Sequence, residues 1–177
     1  AGFLIILGIL FRTIWHLGPN VEFVTTSALL AGSYLGLGYA LGIPLTIMLV
    51  TDLIIGNTNI FLFTWSGYLV IGYLSHLSNL SHLKRGEKIL GATGLGVVAS
   101  IWFYIWTNFG VWLLDSWGMY PKTPPGLIDA YIMGLPFLKY NLMGNLVLVP
   151  LSFTSIELLS QKSKVKSQNY KLKFKID

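Results

Sequence analysis

ILGATGLGVVASIWFYIWTNFGVW, residues 89–112, is the segment that decides the class of fold. It contains no Asp, Glu, Lys or Arg, and it is longer than the roughly 20 apolar residues that a helix needs to cross a bilayer. Its last part, TNFGVW at 107–112, is unusual for a plain anchor, because Asn108 needs hydrogen-bond partners and Gly110 weakens a helix. The segment therefore predicts a membrane helix that carries a polar group into the protein interior.

The composition of the whole chain also predicts a membrane protein. Charged residues make up 11% of its 177 residues, against about 25% in an average soluble domain, and its mean hydropathy is +0.66. The absence of cysteine from the sequence excludes disulfides, thiol catalysis and thiolate metal sites. We therefore expect an all-α, polytopic membrane protein.

The net charge of +5 comes from the end of the sequence, because residues 161–177 carry six lysines and one aspartate. The rest of the chain balances at six basic and six acidic residues. We predict one integral membrane helical domain over 1–160 and a basic cytoplasmic tail over 161–177 that touches membrane lipid. No nucleic-acid partner is expected, since the lysines have no folded reading head.

Apolar windows along the sequence predict six transmembrane helices. They are placed at 1–16, 26–42, 44–56, 60–80, 88–113 and 138–159, with a tight join between the second and third at Gly42–Pro44. The outer segment YPKTPPGL, 120–127, is rich in proline, and the mostly apolar stretch at 126–138 is too short to cross. We interpret 126–138 as a short re-entrant or interfacial helix on the outer face.

The orientation follows from lysine and arginine in short loops. Lys84, Arg85 and Lys88 lie between the fourth and fifth predicted helices, and the basic tail follows the sixth. Both segments are expected in the cytoplasm. Six crossings then place the N-terminus there as well, so both termini are predicted to be cytoplasmic.

Small residues recur at every fourth position of the second predicted helix. They are Ala28, Gly32, Gly36 and Ala40. Helices in lipid associate through close packing of such residues. The stripe predicts either a helix contact within this chain or a docking face for a partner protein.

Three predicted helices carry polar and aromatic residues at helical spacing. The members of these stripes toward the outer side are Trp65, Tyr68, Asn108, Trp112, Asn141 and Asn145. A polar group that faces lipid is costly, whereas one that faces a bundle interior can find partners. We expect the stripes to converge on one chamber that is open to the outside, with the segment from Tyr120 to Gly126 as its lid.

Asp52, in LVTDLIIG at 49–56, is the strongest single signal in the sequence. A carboxylate inside a membrane helix costs roughly 2.5–3.5 kcal/mol on insertion scales unless it is neutralised or paired. Arg12 is the expected partner, with His16 one turn later. The structural alternatives are an ion pair of Arg12 with Asp52, or a position of Asp52 near the outer interface with hydrogen bonds to Thr or Asn. The functional alternatives are direct contact of Asp52 with a ligand or ion, and an enzyme site that uses Asp52 with His16.

The sequence otherwise lacks the marks of an enzyme, so no catalytic residue is assigned. It contains no P-loop, no zinc helix signature and no evident set of nucleophile, base and orienting group. His76 and His82 fall on different faces of the predicted helix and have no acidic cluster beside them. We therefore expect neither a metal site nor a cofactor.

Four stretches of this sequence resemble DUF6580, a family of small bacterial membrane proteins labelled as transport proteins. The stretches are GPNVEFVTTSALLAGSYLG (18–36), PLTIMLVTDLIIG (44–56), TNFGVWLLDSWGMYPKTPPGL (107–127) and GLPFLKYNLMGN (134–145). The family is in turn similar to the substrate-binding components of energy-coupling-factor transporters. The resemblance implies a bacterial inner-membrane protein with six helices and an outward-facing site, which works with an energy-coupling transmembrane subunit and ATPases.

Together these observations predict the small-molecule-binding component of an uptake system for a vitamin-like or heterocyclic nutrient. In that hypothesis Trp65 and Trp112 stack on the solute, and a coupling subunit docks on the stripe of small residues. The amides and Asp52 bind the polar edge of the solute. The alternative is a non-catalytic structural or accessory subunit of a larger membrane complex, in which the polar stripes hold the bundle or contact lipid or pigment.

Overall fold

The computed structural model describes residues 1–15, 18, 20–115 and 118–173, with side chains as far as residue 163. Within these residues the fold is all-helical and has no strand, as the sequence predicts. A 3₁₀ turn at Leu80–His82 lies between the fourth and fifth helices. The α-helices are α1 (Gly2–Thr13), α2 (Val24–Tyr34), α3 (Leu37–Ile55), α4 (Phe61–Leu77), α5 (Arg85–Leu114) and α6 (Pro124–Lys173).

Three helices of the described chain are long and apolar enough to cross a membrane, so the prediction of six spans is wrong. They are α3, α5 and the Pro124–Ser163 part of α6. Helices α1 and α2 have 12 and 11 residues, and at a rise of 1.5 Å per residue each extends about 17 Å, against a hydrocarbon thickness of about 30 Å. The described chain is compatible with a membrane protein that mixes full spans with shorter helices.

The break between α2 and α3 differs from the predicted one at Gly42–Pro44. Helix α2 ends at Tyr34 and α3 begins at Leu37, so Pro44 lies inside α3. Gly36 has a φ of +93°, which glycine adopts without a steric penalty and other residues rarely adopt. The glycine therefore ends the helix, whereas the proline is accommodated within it.

The close contact between α3 and α4 explains how Pro44 is tolerated. Proline has no N–H group, so the carbonyl of Ala40, one turn earlier, receives no helical hydrogen bond from position 44. That carbonyl points at Gly72 of α4, where a Cβ atom would overlap its oxygen. Because Gly72 has no side chain, α4 approaches the backbone of α3 at the site of the missing bond.

The predicted re-entrant helix at 126–138 and the predicted span at 138–159 are wrong as separate elements. Helix α6 is continuous from Pro124 to Lys173 and includes Pro136 and Pro150. Proline at the first helical position is favoured, and an interior proline removes one hydrogen bond while the other bonds hold the helix together. Part of the predicted basic tail is also helical, because the helix continues through residues 161–173.

Helices α5 and α6 form an antiparallel pair. Lys88, near the start of α5, pairs with Glu157 late in α6, and Asn108 near the end of α5 lies against Gly134 early in α6. The end of the bundle that carries Lys84, Arg85 and Lys88 is called the basic end below. The predicted orientation places this end toward the cytoplasm.

The stripe of small residues is used inside the chain. Ala28 and Ala40 are fully buried, and a Cβ atom at Gly32 would lie 2.6 Å from the Oγ atom of Ser75 in α4. Ser75 donates a hydrogen bond to a backbone carbonyl of α2 over 2.8 Å. Gly36, the third residue of the stripe, lies in the break between α2 and α3 rather than on a helix face. The predicted docking face is therefore largely occupied by α4, which corresponds to a helix contact within the chain.

Candidate functional site

Two carboxylates share one guanidinium group where α1 and α3 end and α2 begins. Arg12, at the end of α1, donates from Nη1 to Glu22 over 2.8 Å and from Nη2 to Asp52 over 3.0 Å. Glu22 precedes α2, and Asp52 lies in the last turn of α3. Arg12 and Asp52, proposed as an ion pair from the sequence, are therefore in contact, together with a second acid.

Neutral donors complete this group around the carboxylates. Asp52 Oδ2 accepts hydrogen bonds from Trp65 Nε1 at 2.7 Å and from Asn57 Nδ2 at 2.6 Å. Tyr68, whose side chain is fully buried, donates from its hydroxyl to Glu22 over 3.2 Å. The term acidic network is used below for Arg12, Glu22, Asp52, Asn57, Trp65 and Tyr68.

The acidic network is shielded from solvent and carries a net negative charge. The side chains of Arg12, Glu22 and Asp52 are 10%, 20% and 8% exposed. With both acids ionised, one positive and two negative charges leave a net charge of −1. The Nε atom of Arg12 is buried and has no hydrogen-bond partner among the residues that the structure describes. The network therefore has both an excess negative charge and a spare donor.

The three predicted amides lie inside the bundle, and in the described part of the chain Asn108 and Asn141 line a cavity that is too small for a solute. Asn145 donates to Ser100 Oγ over 2.8 Å and to Asn141 Oδ1 over 3.1 Å, and Asn141 donates to the carbonyl of Asn20 over 3.1 Å. The cavity between Asn108 and Asn141 measures about 20 Å³. A drug-sized ligand needs about 300 Å³ or more, whereas a single water needs only 10–15 Å³. This space fits one water.

The TNFGVW stretch serves helix contacts. Asn108 donates to the carbonyl of Tyr104 in its own helix over 2.8 Å, and Gly134 of α6 leaves space for its side chain. Gly110 packs against the ring of Phe63 in α4, where a Cβ atom would overlap the ring. A polar anchor and a glycine are present in this apolar segment because two neighbouring helices approach α5 closely.

Trp112 lies in the last turn of α5, and Tyr120 lies in the segment that follows this helix. Trp112 Nε1 donates to the carbonyl of Pro121 over 3.0 Å, and the side chain of Lys122 bonds the carbonyls of Trp112 and Leu113. Asp115 accepts the backbone N–H of Tyr120 over 3.1 Å. Trp65 bonds Asp52 instead, so the two tryptophans contact different groups. The predicted lid segment is held against the helix end by these bonds.

Three members of the acidic network were not identified as site residues from the sequence: Glu22, Asn57 and Tyr68. Glu22 lies in a connection, where the helical spacing of a stripe gives no information about its neighbours. The sequence signal that could have identified Glu22 as a site residue is its negative charge, because the chain has only seven Asp and Glu residues. The spacing of Tyr68 and Trp65 placed both on one polar stripe of the predicted fourth helix, but only Trp65 was named as a site residue. His16, named with Asp52 for an enzyme site, lies outside the described residues.

Comparison with known proteins places the chain in a family. No curated protein and no solved structure matches it. The predicted similarity to energy-coupling-factor components therefore stays a prediction. One family model matches residues 1–168, which cover most of the sequence and include the whole acidic network. The chain belongs to DUF6580, a family of unknown function.

Proposed function

We propose that the protein is the solute-binding component of a membrane transport system, and that the acidic network recognises a small solute with a positive charge. The observation that carries this proposal is the second carboxylate. One acid would suffice to pair Arg12, yet Glu22 and Asp52 both contact it. The excess negative charge would attract a cationic group to the acidic network.

The surroundings of these charges support a functional role. Charged groups among membrane helices are rare and costly, and they commonly mark the pathway of a substrate or ion. Here the network includes Asp52, in the last turn of α3, which is one of the three described helices apolar enough to span a membrane. A purely structural ion pair needs only one acid. A protein without the second acid would avoid the free-energy cost of removing that carboxylate from water.

The aromatic members of the network match the chemistry of a cationic ring or ammonium group. Trp65 is half-buried, contacts Asp52 and lies edge-on to Phe61, with ring centroids 5.4 Å apart. Tyrosine and tryptophan faces attract cations when they are shielded from water. A heterocyclic nutrient that carries a positive charge would use both the carboxylates and the rings.

ATP-driven transport by this protein would require partners, because the sequence contains no nucleotide-binding motif. An energy-coupling transmembrane subunit with ATPases is the proposed partner, in a bacterial inner membrane with both termini in the cytoplasm. The surface that docks it would differ from the stripe of Ala28, Gly32 and Ala40, since α4 covers that stripe. Helices α3 and α6 both carry exposed apolar side chains, and their outer faces are the docking surfaces that we propose.

The test is binding of organic cations to the purified protein in lipid nanodiscs. The panel contains primary ammonium, quaternary ammonium and cationic heterocyclic compounds, each with a neutral isostere, and thermal stabilisation is the readout. Asp52→Asn and Glu22→Gln should each weaken binding at least tenfold. Asp129→Asn, at an exposed acid of α6, is the matched control and should leave binding unchanged. Equal stabilisation by the neutral isosteres, or no stabilisation by any cation, would contradict the proposal.

A second function, an accessory subunit of a larger membrane complex, is favoured by the length of α6. Its 50 residues correspond to about 75 Å, more than twice the hydrocarbon thickness. Such a helix can carry a contact well beyond the bundle. Purification from native membranes separates the two functions, because a permanent subunit would co-purify stoichiometrically with a complex that lacks transport ATPases.

A further inference from the structure

The cation that pairs with the two acids of the acidic network belongs to the protein itself. Arg12 donates through two terminal nitrogens of one guanidinium group, from Nη1 to Glu22 over 2.8 Å and from Nη2 to Asp52 over 3.0 Å. A guanidinium is a rigid, planar fork of donors, whereas an ammonium is a compact point charge. The positions of the two acids therefore match a guanidinium group.

Neutral groups would hold the two acids in place without the arginine. Trp65 Nε1 and Asn57 Nδ2 donate to Oδ2 of Asp52, at 2.7 and 2.6 Å, whereas the arginine uses Oδ1. The hydroxyl of Tyr68, a buried residue of α4, donates to Glu22 over 3.2 Å. None of these three donors lies on α1, so the acids keep these partners when α1 moves. The acids therefore form a site whose geometry does not depend on the arginine alone.

Arg12 belongs to a helix with few buried contacts. Gly8 is the one buried residue among the 12 of α1, whereas ten of the 11 residues of α2 are buried. Gly8 packs on the side chain of Ile47 in α3, and Ser27 Oγ in α2 donates to the carbonyl of Leu4 over 3.3 Å. An element with few buried contacts opens at a lower free-energy cost than the core does. Helix α1 is therefore able to withdraw its arginine from the two acids.

Withdrawal of Arg12 would turn the two acids into a stronger site for a cation. Two ionised acids carry a charge of −1 together with the arginine and −2 without it. Acids that are 20% and 8% exposed are costly without a counter-ion, so the site closes on the arginine when no solute is present. The arginine is itself incompletely paired, because its buried Nε atom has no acceptor among the described residues. The orientation of an external guanidinium compound is not limited by α1.

We propose that Arg12 is a displaceable internal ligand of the acidic network, and that the solute is a guanidinium compound which takes its place when α1 moves away. The inference rests on the proposed function, and it narrows the cationic solute to one chemical class. Solute binding and movement of α1 are then one equilibrium, in which the arginine and the solute compete for the same two acids. The contrasting case is a permanent ion pair that no external cation replaces.

The first test measures the dissociation constant of ethylguanidinium by calorimetry on the full-length protein in nanodiscs. Ethylguanidinium is the part of the arginine side chain that Arg12→Ala removes. Arg12→Ala should bind it at least tenfold more tightly than wild type does, because no internal competitor remains. Ethylammonium should bind this variant at least threefold more weakly, and neutral ethylurea should not bind. Arg12→Ala/Asp52→Asn should lose the binding of ethylguanidinium.

Lys88→Ala at the basic end is the matched control. Lys88 pairs with Glu157 over 2.7 Å, so this variant also vacates a shielded ion pair, but with one acid instead of two. It should bind ethylguanidinium no better than wild type does. Equal gains in Lys88→Ala and Arg12→Ala would overturn the proposal, since any vacated ion pair would then accept the probe.

Gly8→Ala keeps every residue of the acidic network and tests the movement of α1. Its added Cβ atom would overlap the side chain of Ile47, which is fully buried, so α1 should pack less tightly against α3. A larger population with α1 moved away raises the apparent affinity, so ethylguanidinium should bind at least threefold more tightly. Gly2→Ala, where the added atom meets open space, should bind as wild type does. These two variants decide the outcome if Arg12→Ala does not fold.

The results separate displacement of Arg12 from the proposed function. Displacement is overturned, and the proposed function stands, if wild type binds other organic cations through Glu22 and Asp52 but a folded Arg12→Ala gains no affinity for ethylguanidinium. Gly8→Ala takes its place in this comparison if Arg12→Ala does not fold. Both proposals fail if neither wild type nor any variant binds a cation. Gains in Arg12→Ala and Gly8→Ala, with none in Lys88→Ala or Gly2→Ala, would support displacement.

Discussion

Replacement of Arg12 by methionine is the sharpest test of the acidic network. Methionine keeps much of the length of the side chain but removes the one cation that pairs with Glu22 and Asp52 among the described residues. Two acids that are 20% and 8% exposed would then lie together without a counter-ion. At an effective dielectric constant of about 20, opposite charges 3 Å apart attract by roughly 5 kcal/mol, part of which desolvation offsets. Loss of one partner of a buried pair costs about 3–5 kcal/mol.

We expect Arg12→Met to lower the free energy of unfolding by that amount. For a domain of this length each kcal/mol corresponds to about 2–4 °C in melting temperature, so the loss should be about 6–20 °C. The triple variant Arg12→Met/Glu22→Gln/Asp52→Asn should recover at least half of it, because no unpaired charge remains. Lys139→Met, at an exposed lysine of α6, is the control.

The measurement is intrinsic-fluorescence melting in nanodiscs at neutral pH. The reasoning about charge fails if Arg12→Met melts within about 2 °C of wild type, which is less than 1 kcal/mol on this scale. It fails equally if the triple variant is as unstable as the single one, since loss of packing and not of charge would then explain the effect.

Three further substitutions test other contacts by the same melting assay. Gly72→Ala should lower the free energy of unfolding by about 1–3 kcal/mol, because its Cβ atom would overlap a backbone carbonyl of α3. Gly94→Ala, where the added Cβ atom meets open space, should be neutral or stabilising. Equal effects of the two substitutions would contradict the close approach of α3 and α4. Lys88→Met should cost about 3–5 kcal/mol by leaving Glu157, 15% exposed, without its cation, and addition of Glu157→Gln should restore most of the loss. Asn145→Ala, at a 2% exposed amide, should cost about 1–3 kcal/mol, and an unchanged melting temperature would show that water replaces its bonds.

The positions of several helices were predictable because local composition controls them. The helix predicted at 88–113 is Arg85–Leu114, and the one predicted at 60–80 is Phe61–Leu77. Long apolar runs bounded by charged or polar residues have few alternatives in lipid, because every backbone group must be satisfied within the segment. The contact between Arg12 and Asp52 was predictable for a similar reason, since a chain with so few charges offers few counter-ions.

The predicted helix boundaries are wrong where a sequence signal such as proline favours a break but packing against another helix allows the helix to continue. Pro44 was expected to mark a break between two helices, yet it lies inside α3. A proline removes one hydrogen bond, and whether the helix continues depends on what packs around it. Gly72 against α3 is such a contact, and the spacing of α4 residues alone does not reveal which backbone they meet.

The amino-acid sequence on its own determined an all-helical chain of membrane-compatible composition with its charges concentrated at few positions. Hydrophobicity and backbone hydrogen bonding act within a segment, so they can be inferred without knowledge of neighbours. Only the tertiary structure decided that Glu22 joins Arg12 and Asp52 and that the amides enclose space for one water. These features depend on distances of a few ångströms between segments far apart in the chain, which are set by side-chain packing across helix interfaces.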